Sequence, residues 1–247
     1  MKTVFQKPAG MRDKTTHYCP GCTHGISHRL IAEVLDSMEA REKAVCIEPV
    51  GCAVIADEYF NFDVIEAAHG RAPAVATAMK RLLPDNFVFT YQGDGDLASI
   101  GMGEIVHASG RGENICVFFI NNAIYGMTGG QMAPTTLLGQ VTTTSPYGRQ
   151  PDQAGYPLKI CEILAQNSGS AYICRTALNT PANVMMTKRA IRKAFETQNK
   201  KLGFSLVEIL STCPTNWGLS PVEAMDWVKE EMIPVFPLGE FKVREEL

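Results

Sequence analysis

The stretch NFVFTYQGDGDLASIGMGEIVHASGRGENICVFFINNAIYGMTGGQ (Asn86 to Gln131) reads as one strand-helix-strand unit with a polar tip on each strand. NFVFTYQ and NICVFFI are short apolar runs rich in aromatic and β-branched residues, as buried strands are, and DLASIGMGEIVHAS between them carries a helical period. The first strand runs into GDGD (93–96) and the second into NNAIYGMTGGQ (121–131). Strands joined by a helical crossover run parallel and end at the same edge of a sheet. Asp94 and Asn122, 28 positions apart, are therefore expected side by side.

The alternation continues in both directions. GISHRLIAEVLDSMEA puts Ile26, Leu30, Ile31, Val34, Leu35 and Met38 on one helix face, and AVCIE (44–48) reads as a short buried strand. RAPAVATAMKRLL and LKICEILAQNS read as helices, AYICRT and GFSLVEIL as strands, and PANVMMTKRAIRKAFETQ as a helix with Pro181 in its first turn. This order predicts an α/β fold with a parallel sheet and helices on both faces. Such sheets bind ligands beyond the carboxyl ends of their strands, so the chemistry is expected just after the apolar runs.

The 247 residues, 45% hydrophobic with a formal charge of -3, can bury a substantial core. No basic block offers a footprint for nucleic acid, and no apolar run reaches the roughly 18 residues of a membrane span. The opening MKTVFQKPAGMRDKTTHYC lacks the apolar segment of a signal peptide, which points to a reducing cytoplasm and to cysteines that act as ligands or core residues. No linker-like change of composition divides the chain, so 1–247 is read as a single domain with an N-terminal cysteine hairpin and a C-terminal extension.

Gly93 and Gly95 let the backbone turn sharply and approach a ligand, and the following helix start offers free N–H groups to a phosphate. Asp94 supplies a hard carboxylate and Asn122 a neutral carbonyl oxygen, donors suited to magnesium or calcium, and magnesium shares its shell with substrate phosphates. Taken alone, GDGD is an ordinary turn, since Gly and Asp dominate turns. The paired strand ends favour a diphosphate held through a metal.

Of eight cysteines, Cys46, Cys116, Cys161 and Cys174 lie inside apolar runs, where a thiol behaves as a small hydrophobe. Cys19 and Cys22 form the hairpin YCPGCTHG, Cys52 follows EPVG, and Cys213 sits in STCPTNW, all in loops. Four loop thiols suit either a [4Fe-4S] cluster or a four-thiolate zinc site. A redox pair formed by Cys19 and Cys22 alone leaves the other two unexplained.

GDGD followed by NNAIYG resembles the diphosphate-binding signature of thiamine diphosphate (TPP) enzymes. YCPGCTHG, PVGC, AHGRAPAVATAMK, GDGDLASIG, NNAIYGMTGGQMAPT and CPTNW occur in the order found in the beta subunit of 2-oxoacid:ferredoxin oxidoreductases, and the likeness runs from about Thr16 to Gly239. The resemblance implies that Asp94, Asn122 and the carbonyl of Ile124 hold Mg2+ on TPP, with Gly93, Gly95, Asp96, Tyr125, Gly126, Met127 and Thr128 as further cofactor contacts. It implies that Cys19, Cys22, Cys52 and Cys213 ligate one [4Fe-4S] cluster, Cys46 being the rival third ligand.

By the same resemblance, a 2-oxoacid loses carbon dioxide on TPP, electrons leave singly through the cluster to ferredoxin, and the acyl group passes to coenzyme A. His69 and His24 are the candidates to orient substrate or relay a proton. An alpha subunit is expected to supply the glutamate that activates the aminopyrimidine, and gamma or delta subunits any further iron-sulfur clusters. Gly129 stands where relatives acting on 2-oxoglutarate often carry Lys, and a glycine offers no cation to a second carboxylate. The segment MTGGQMAPTT and the chain after CPTNW resemble the branched-chain type, acting on 2-oxoisovalerate. 2-Oxoglutarate, pyruvate or an aryl pyruvate are the other acids of the same chemistry. A zinc-stabilised TPP-binding scaffold without electron transfer is the alternative of a different class.

Overall fold

A computed structural model describes residues 6–246. Its strands are β1 (Ala44–Glu48), β2 (Asp63–Glu66), β3 (Phe87–Gly93), β4 (Cys116–Asn121), β5 (Ser170–Ala177), β6 (Phe204–Leu210) and β7 (Gly239–Val243). Its helices are α1 (His24–Ser37), α2 (Ala72–Leu82), α3 (Met102–Arg111), α4 (Pro151–Ala154), α5 (Ile160–Ala165), α6 (Pro181–Asn199), α7 (Pro214–Trp217) and α8 (Pro221–Trp227), the last continuing through further turns to Val235. The strands form one sheet in the order β2-β1-β3-β4-β6-β5-β7. All neighbours are parallel except β7, which runs antiparallel along β5.

Alternate side chains of each strand feed opposite cores, as the strand period of two requires. On one face Cys46, Phe89, Tyr91, Phe118 and Val207 pack with Ile31, Leu35, Ile191 and Phe195 of α1 and α6. On the other Ile47, Val88, Val117, Phe119 and Leu206 pack with Ala76, Ile105 and Leu164 of α2, α3 and α5. The expected parallel sheet with helices on both faces is the fold observed. A third cluster, with Leu137, Val228, Met232 and Phe236, seats the C-terminal helices over the ends of β5 and β6. α6 starts where Pro181 predicts, with Thr180 accepting a hydrogen bond from Asn183 N, and α8 opens on a reciprocal Ser220–Glu223 capping box.

One expected helix differs. The run from Asp96 to Ser109 is split into a single wide turn over Asp96–Ile100 and α3, with the break at Gly101. A Cβ at Gly101 would lie 2.7 Å from the Asp96 carbonyl oxygen and 2.9 Å from the Gly70 carbonyl oxygen, so a backbone approach from outside the segment interrupts the helix.

The sheet also buries charge. Arg175 on β5 is fully buried, and its Nε donates to Glu208 Oε2 of β6 at 2.8 Å while its other nitrogens reach Glu162 of α5. Glu208 Oε1 accepts from Asn121 Nδ2 at 2.7 Å, at the end of β4. Breaking a buried pair from one side strands the other charge. Arg175→Met is expected to cost about 3–5 kcal/mol, read as a lower urea midpoint for the purified chain. A midpoint within error of the parent would remove the ion pair from the account of stability.

Candidate functional site

Four neighbouring strands, β1, β3, β4 and β6, end on one edge of the sheet, and each hands a functional loop to the same crevice. The chain leaves β1 toward β2 on one side and β3 toward β4 on the other, so the crevice lies at the topological switch point of the sheet. One cavity there is lined by residues 49–53 after β1, His69, Gly93–Asp96 after β3 and residues from Asn122 to Thr128 after β4, with His24 at its floor. Its lining thus includes most of the candidates read from the sequence, together with one of the four loop cysteines, Cys52.

Asp94 is buried, with Oδ1 accepting from Gly95 N at 2.8 Å and Oδ2 from the Thr135 hydroxyl at 2.7 Å. Burial pushes its pKa up to about 6, and the hydrogen bonds only partly oppose this. Burial makes this carboxylate costly to ionise without a positive partner, and a divalent metal would be such a partner. Asn122 lies next to it, its Oδ1 accepting from Ile124 N at 3.3 Å. Between them Ala123 adopts a left-handed conformation with φ 56°, held by Asn121 Oδ1, which accepts from Ala123 N at 3.1 Å. Gly95 must be glycine, since a Cβ there would lie 2.0 Å from the Tyr125 ring, whose hydroxyl donates to the Gly95 carbonyl oxygen. Met127 and Thr128 are exposed at the tip of a loop closed by Tyr125 and Gln131.

The four loop cysteines converge beside this group. Cys19 and Cys22 face each other across a tight turn with Gly21 at φ 81°, Cys22 N donating to the Cys19 carbonyl oxygen at 3.0 Å. The hairpin is tied to the loop after β6 through Thr212, whose hydroxyl donates to the Gly21 carbonyl oxygen at 2.6 Å, and through Thr23 and Ser211. Cys213 accepts from Asn216 Nδ2, which also donates to the Gly126 carbonyl oxygen. A Cβ on Gly126 would lie 3.1 Å from Cys52 Sγ and 3.5 Å from Cys213 Sγ. Burial pushes the Cys22 thiol up to about 12 and Cys52 up to about 11, and the neighbouring thiols of the set add to both shifts. Cys213 is raised as well, chiefly by burial. Among the described residues no three His, Cys, Asp or Glu side chains come close enough to hold a single metal ion. Cys46, the rival ligand, is fully buried in β1 among apolar neighbours, and Cys116, Cys161 and Cys174 are also buried in the core.

The two histidines differ. His24 is buried, its Nδ1 paired with the Tyr91 hydroxyl at 2.7 Å and its ring stacked on Tyr18, and burial pushes its pKa down to about 4. His69 is partly exposed, and its Nδ1 lies 2.5 Å from Asp96 Oδ1. Both oxygens of Asp96 are occupied by protein donors, Gly70 N among them.

Comparison with known proteins gives the family and the fold. A family profile described as thiamine pyrophosphate enzyme, C-terminal TPP binding domain, matches residues 49–209. The chain is 50% identical over 241 residues to ketoisovalerate oxidoreductase subunit VorA of Methanothermobacter thermautotrophicus, covering 98% of this chain and 50% of that protein. It is 35% identical over 215 residues to 2-oxoglutarate synthase subunit KorB of Archaeoglobus fulgidus, covering 87% of this chain and 76% of that one. The chain belongs to the TPP enzymes, among the subunits of 2-oxoacid:ferredoxin oxidoreductases. It spans about half the length of the VorA relatives. A solved structure of a 2-oxoglutarate:ferredoxin oxidoreductase from Magnetococcus marinus with 2-oxoglutarate, coenzyme A and succinyl-CoA bound shares the fold with a TM-score of 0.80 at 23% identity, covering 100% of this chain and 88% of that one. No helix among the described residues is long and apolar enough to cross a membrane.

For this family member, one residue escaped the sequence reading. Glu48 ends the buried strand β1, and its Oε2 accepts from Asp57 N at 3.0 Å, which anchors the loop that carries Cys52. Nothing in AVCIE distinguishes this glutamate from one on a solvent face. Burial, followed by the Asp57 and Glu66 charges, pushes its pKa up to about 7. A carboxyl raised above its unfolded value holds its proton longer in the folded chain, so stability is lost as pH rises from about 4.5 through about 7 and then levels off. Glu48→Gln should flatten that part of the curve, gaining on the order of 2 kcal/mol at pH 8 relative to the parent. Urea midpoints at pH 5 and 8 measure it, and a parallel offset at both values would refute the assignment.

Proposed function

We propose that this chain is the TPP- and [4Fe-4S]-binding subunit of an enzyme that oxidatively decarboxylates a branched-chain 2-oxoacid, 2-oxoisovalerate, to its acyl-CoA and passes the electrons to ferredoxin. The observation that carries the reading is the meeting of two donor sets at one crevice, the oxygens of Asp94 and Asn122 and the four loop thiols. Asp94, Asn122 and the Ile124 carbonyl would hold Mg2+ against the diphosphate, and the turn at Gly93, Gly95 and Asp96 with the loop Tyr125, Gly126, Met127 and Thr128 would border the cofactor. Cys19, Cys22, Cys52 and Cys213 would hold the cluster. When bound, TPP supplies the electron sink for decarboxylation and the cluster an acceptor for single electrons.

A mononuclear zinc site brings its thiolates within about 2.3 Å of one ion. Four thiolates suit that site as well as a cluster, but only a cluster accepts the single electrons of the reaction proposed here, since zinc has no redox chemistry. The branched-chain preference rests on the identity to VorA and on Gly129, an exposed residue with φ 104° that brings no cation to the loop. The same reaction on 2-oxoglutarate, pyruvate or an aryl pyruvate is the competing substrate assignment, supported by the likeness to KorB.

On this reading the chain supplies the diphosphate and cluster ligands, an alpha subunit the glutamate that activates the aminopyrimidine, and gamma or delta subunits any further clusters. The cytoplasm is the compartment that suits free thiols and a ferredoxin partner.

The test is anaerobic viologen reduction by the chain co-expressed with its partner subunits, with coenzyme A and either 2-oxoisovalerate or 2-oxoglutarate. Turnover at least tenfold faster on 2-oxoisovalerate is expected, and none from the purified chain alone. Faster turnover on 2-oxoglutarate would overturn the substrate assignment. Cys52→Ser or Cys213→Ser should bleach the visible absorption and release iron and sulfide, and Asp94→Ala should empty the TPP site. One zinc per chain without sulfide would defeat the cluster.

A further inference from the structure

At the edge of the crevice a chain of hydrogen bonds runs from the buried sheet to His69. The Thr90 hydroxyl donates to Gln92 Oε1 at 2.9 Å, which turns the amide nitrogen toward Asp96. Gln92 Nε2 then donates to Asp96 Oδ2 at 2.6 Å, and Gly70 N donates to Asp96 Oδ1 at 2.8 Å. Thr90, Gln92 and Asp96 are buried, and their order of donors leaves Asp96 only the role of acceptor. His69 Nδ1 must therefore be the N–H that donates to Asp96 Oδ1, and the lone pair of the neutral ring lies on Nε2.

The ring's position is enforced by backbone as well as by hydrogen bonds. Gly70, at φ 77°, packs so closely that a Cβ there would lie 2.6 Å from Gly101 N, and Gly101 closes the turn that Asp96 begins. The acid of the pair is 1% exposed and the ring 32%, an arrangement with a hidden orienting group and an open base. His69 shares its cavity with Asp94, Gly95 and Asn122. The titratable and charged groups around it are Asp96 and Asp94 on the turn after β3, Tyr125 on the loop after β4, and the Arg71–Glu104 ion pair that joins its own loop to α3.

We propose that His69 is the proton acceptor for the thiol of coenzyme A in this site, with Asp96 and Gln92 as positioning residues that fix its tautomer. The inference rests on the function proposed above. A thiol of ordinary pKa near 8.5 is mostly protonated at neutral pH, and only the thiolate is a nucleophile. In the step assigned here the S–H bond breaks, its proton goes to Nε2, and its electron pair stays on sulfur; the imidazolium keeps its Nδ1–H on Asp96, and nothing is oxidised or reduced. His24, the other histidine of the cavity, has its ring packed beneath Tyr18 and its Nδ1 engaged by Tyr91.

The test uses the assembled complex carrying His69→Gln or Asp96→Asn. His69→Gln should lower the coenzyme A-dependent rate about 10²–10⁴-fold and remove the acid limb of its pH profile. The coenzyme A-dependent rate should fall at least about tenfold further than the carbon dioxide released in a first turnover without coenzyme A, with TPP and iron retained. Asp96→Asn replaces one accepting oxygen by an NH2, opposite either Gln92 Nε2 or Gly70 N, and removes the charge that holds the Nδ1–H tautomer, so it should lower the same rate by about 10²-fold or more. Modification of His69 by diethyl pyrocarbonate, read by peptide mass spectrometry without 2-oxoacid present, should be rapid in the parent and much slower in Asp96→Asn. Equal loss of carbon dioxide release and of coenzyme A-dependent rate in His69→Gln would overturn the proposal, as would a parental pH profile or equal modification in both proteins. A parent complex with no coenzyme A-dependent turnover on any 2-oxoacid would instead defeat the function on which it rests.

Discussion

The parallel alignment of β1, β3, β4 and β6 is the constraint on which the rest of the structure depends. Parallel strands direct all their carboxyl ends to one edge, so loops distant in sequence must share a crevice. Cys52 follows β1, Asp94 follows β3, Asn122 follows β4 and Cys213 follows β6, and the register of each pair is fixed by apolar side chains that alternate between the two cores. A slip of one residue in β3 would turn Phe89 and Tyr91 away from α1 and α6 and put a glycine, Gly93 or Gly95, where Asp94 stands. Core packing and donor placement are thus one requirement.

Loops at such an edge need their own anchors, because strand hydrogen bonds have ended. Each anchor here is a buried polar group. Glu48 holds the loop of Cys52, and Thr135 holds the carboxylate of Asp94. The positive φ of Ala123, unfavourable for a residue with a Cβ, is stabilised by Asn121, which is itself held by Glu208 and through it by Arg175. A buried ion pair contributes little net stability when measured against apolar packing. Its value in this sheet is orientation, since it presents Asn121 Oδ1 to the one backbone N–H that keeps the turn in shape.

Much of this was legible in the sequence where the signal is local. Apolar runs of strand and helix length gave the sheet, and a turn residue with a ligating oxygen at the end of each of two runs gave Asp94 and Asn122. The four loop cysteines separated from the four core cysteines by context alone. Non-local contacts stayed hidden. Edge strands β2 and β7 are short and half exposed, with no continuous apolar pattern to mark them. The broken helix after Asp96 is caused by Gly70, and the partner of the Asp96 carboxylate is His69, 27 positions away. Asp96 looks like a companion of Asp94 in GDGD, yet the two carboxylates, two positions apart on the turn, serve different neighbours.

Gly126 shows how closely the two donor sets are fitted. Its Cα faces Cys52 Sγ, Cys213 Sγ and Asn122 Nδ2 at once, and its carbonyl oxygen accepts from Asn216, which also donates to Cys213. Its neighbours are soft sulfur donors on one side and a hard amide group on the other, and soft and hard donors select different ions. A methyl group at 126 would press on both sets, so the smallest residue stands where they meet. Glycine there is required by distance. The same closeness ties the loop after β4 to both proposed sites, so displacement of that loop would disturb each of them.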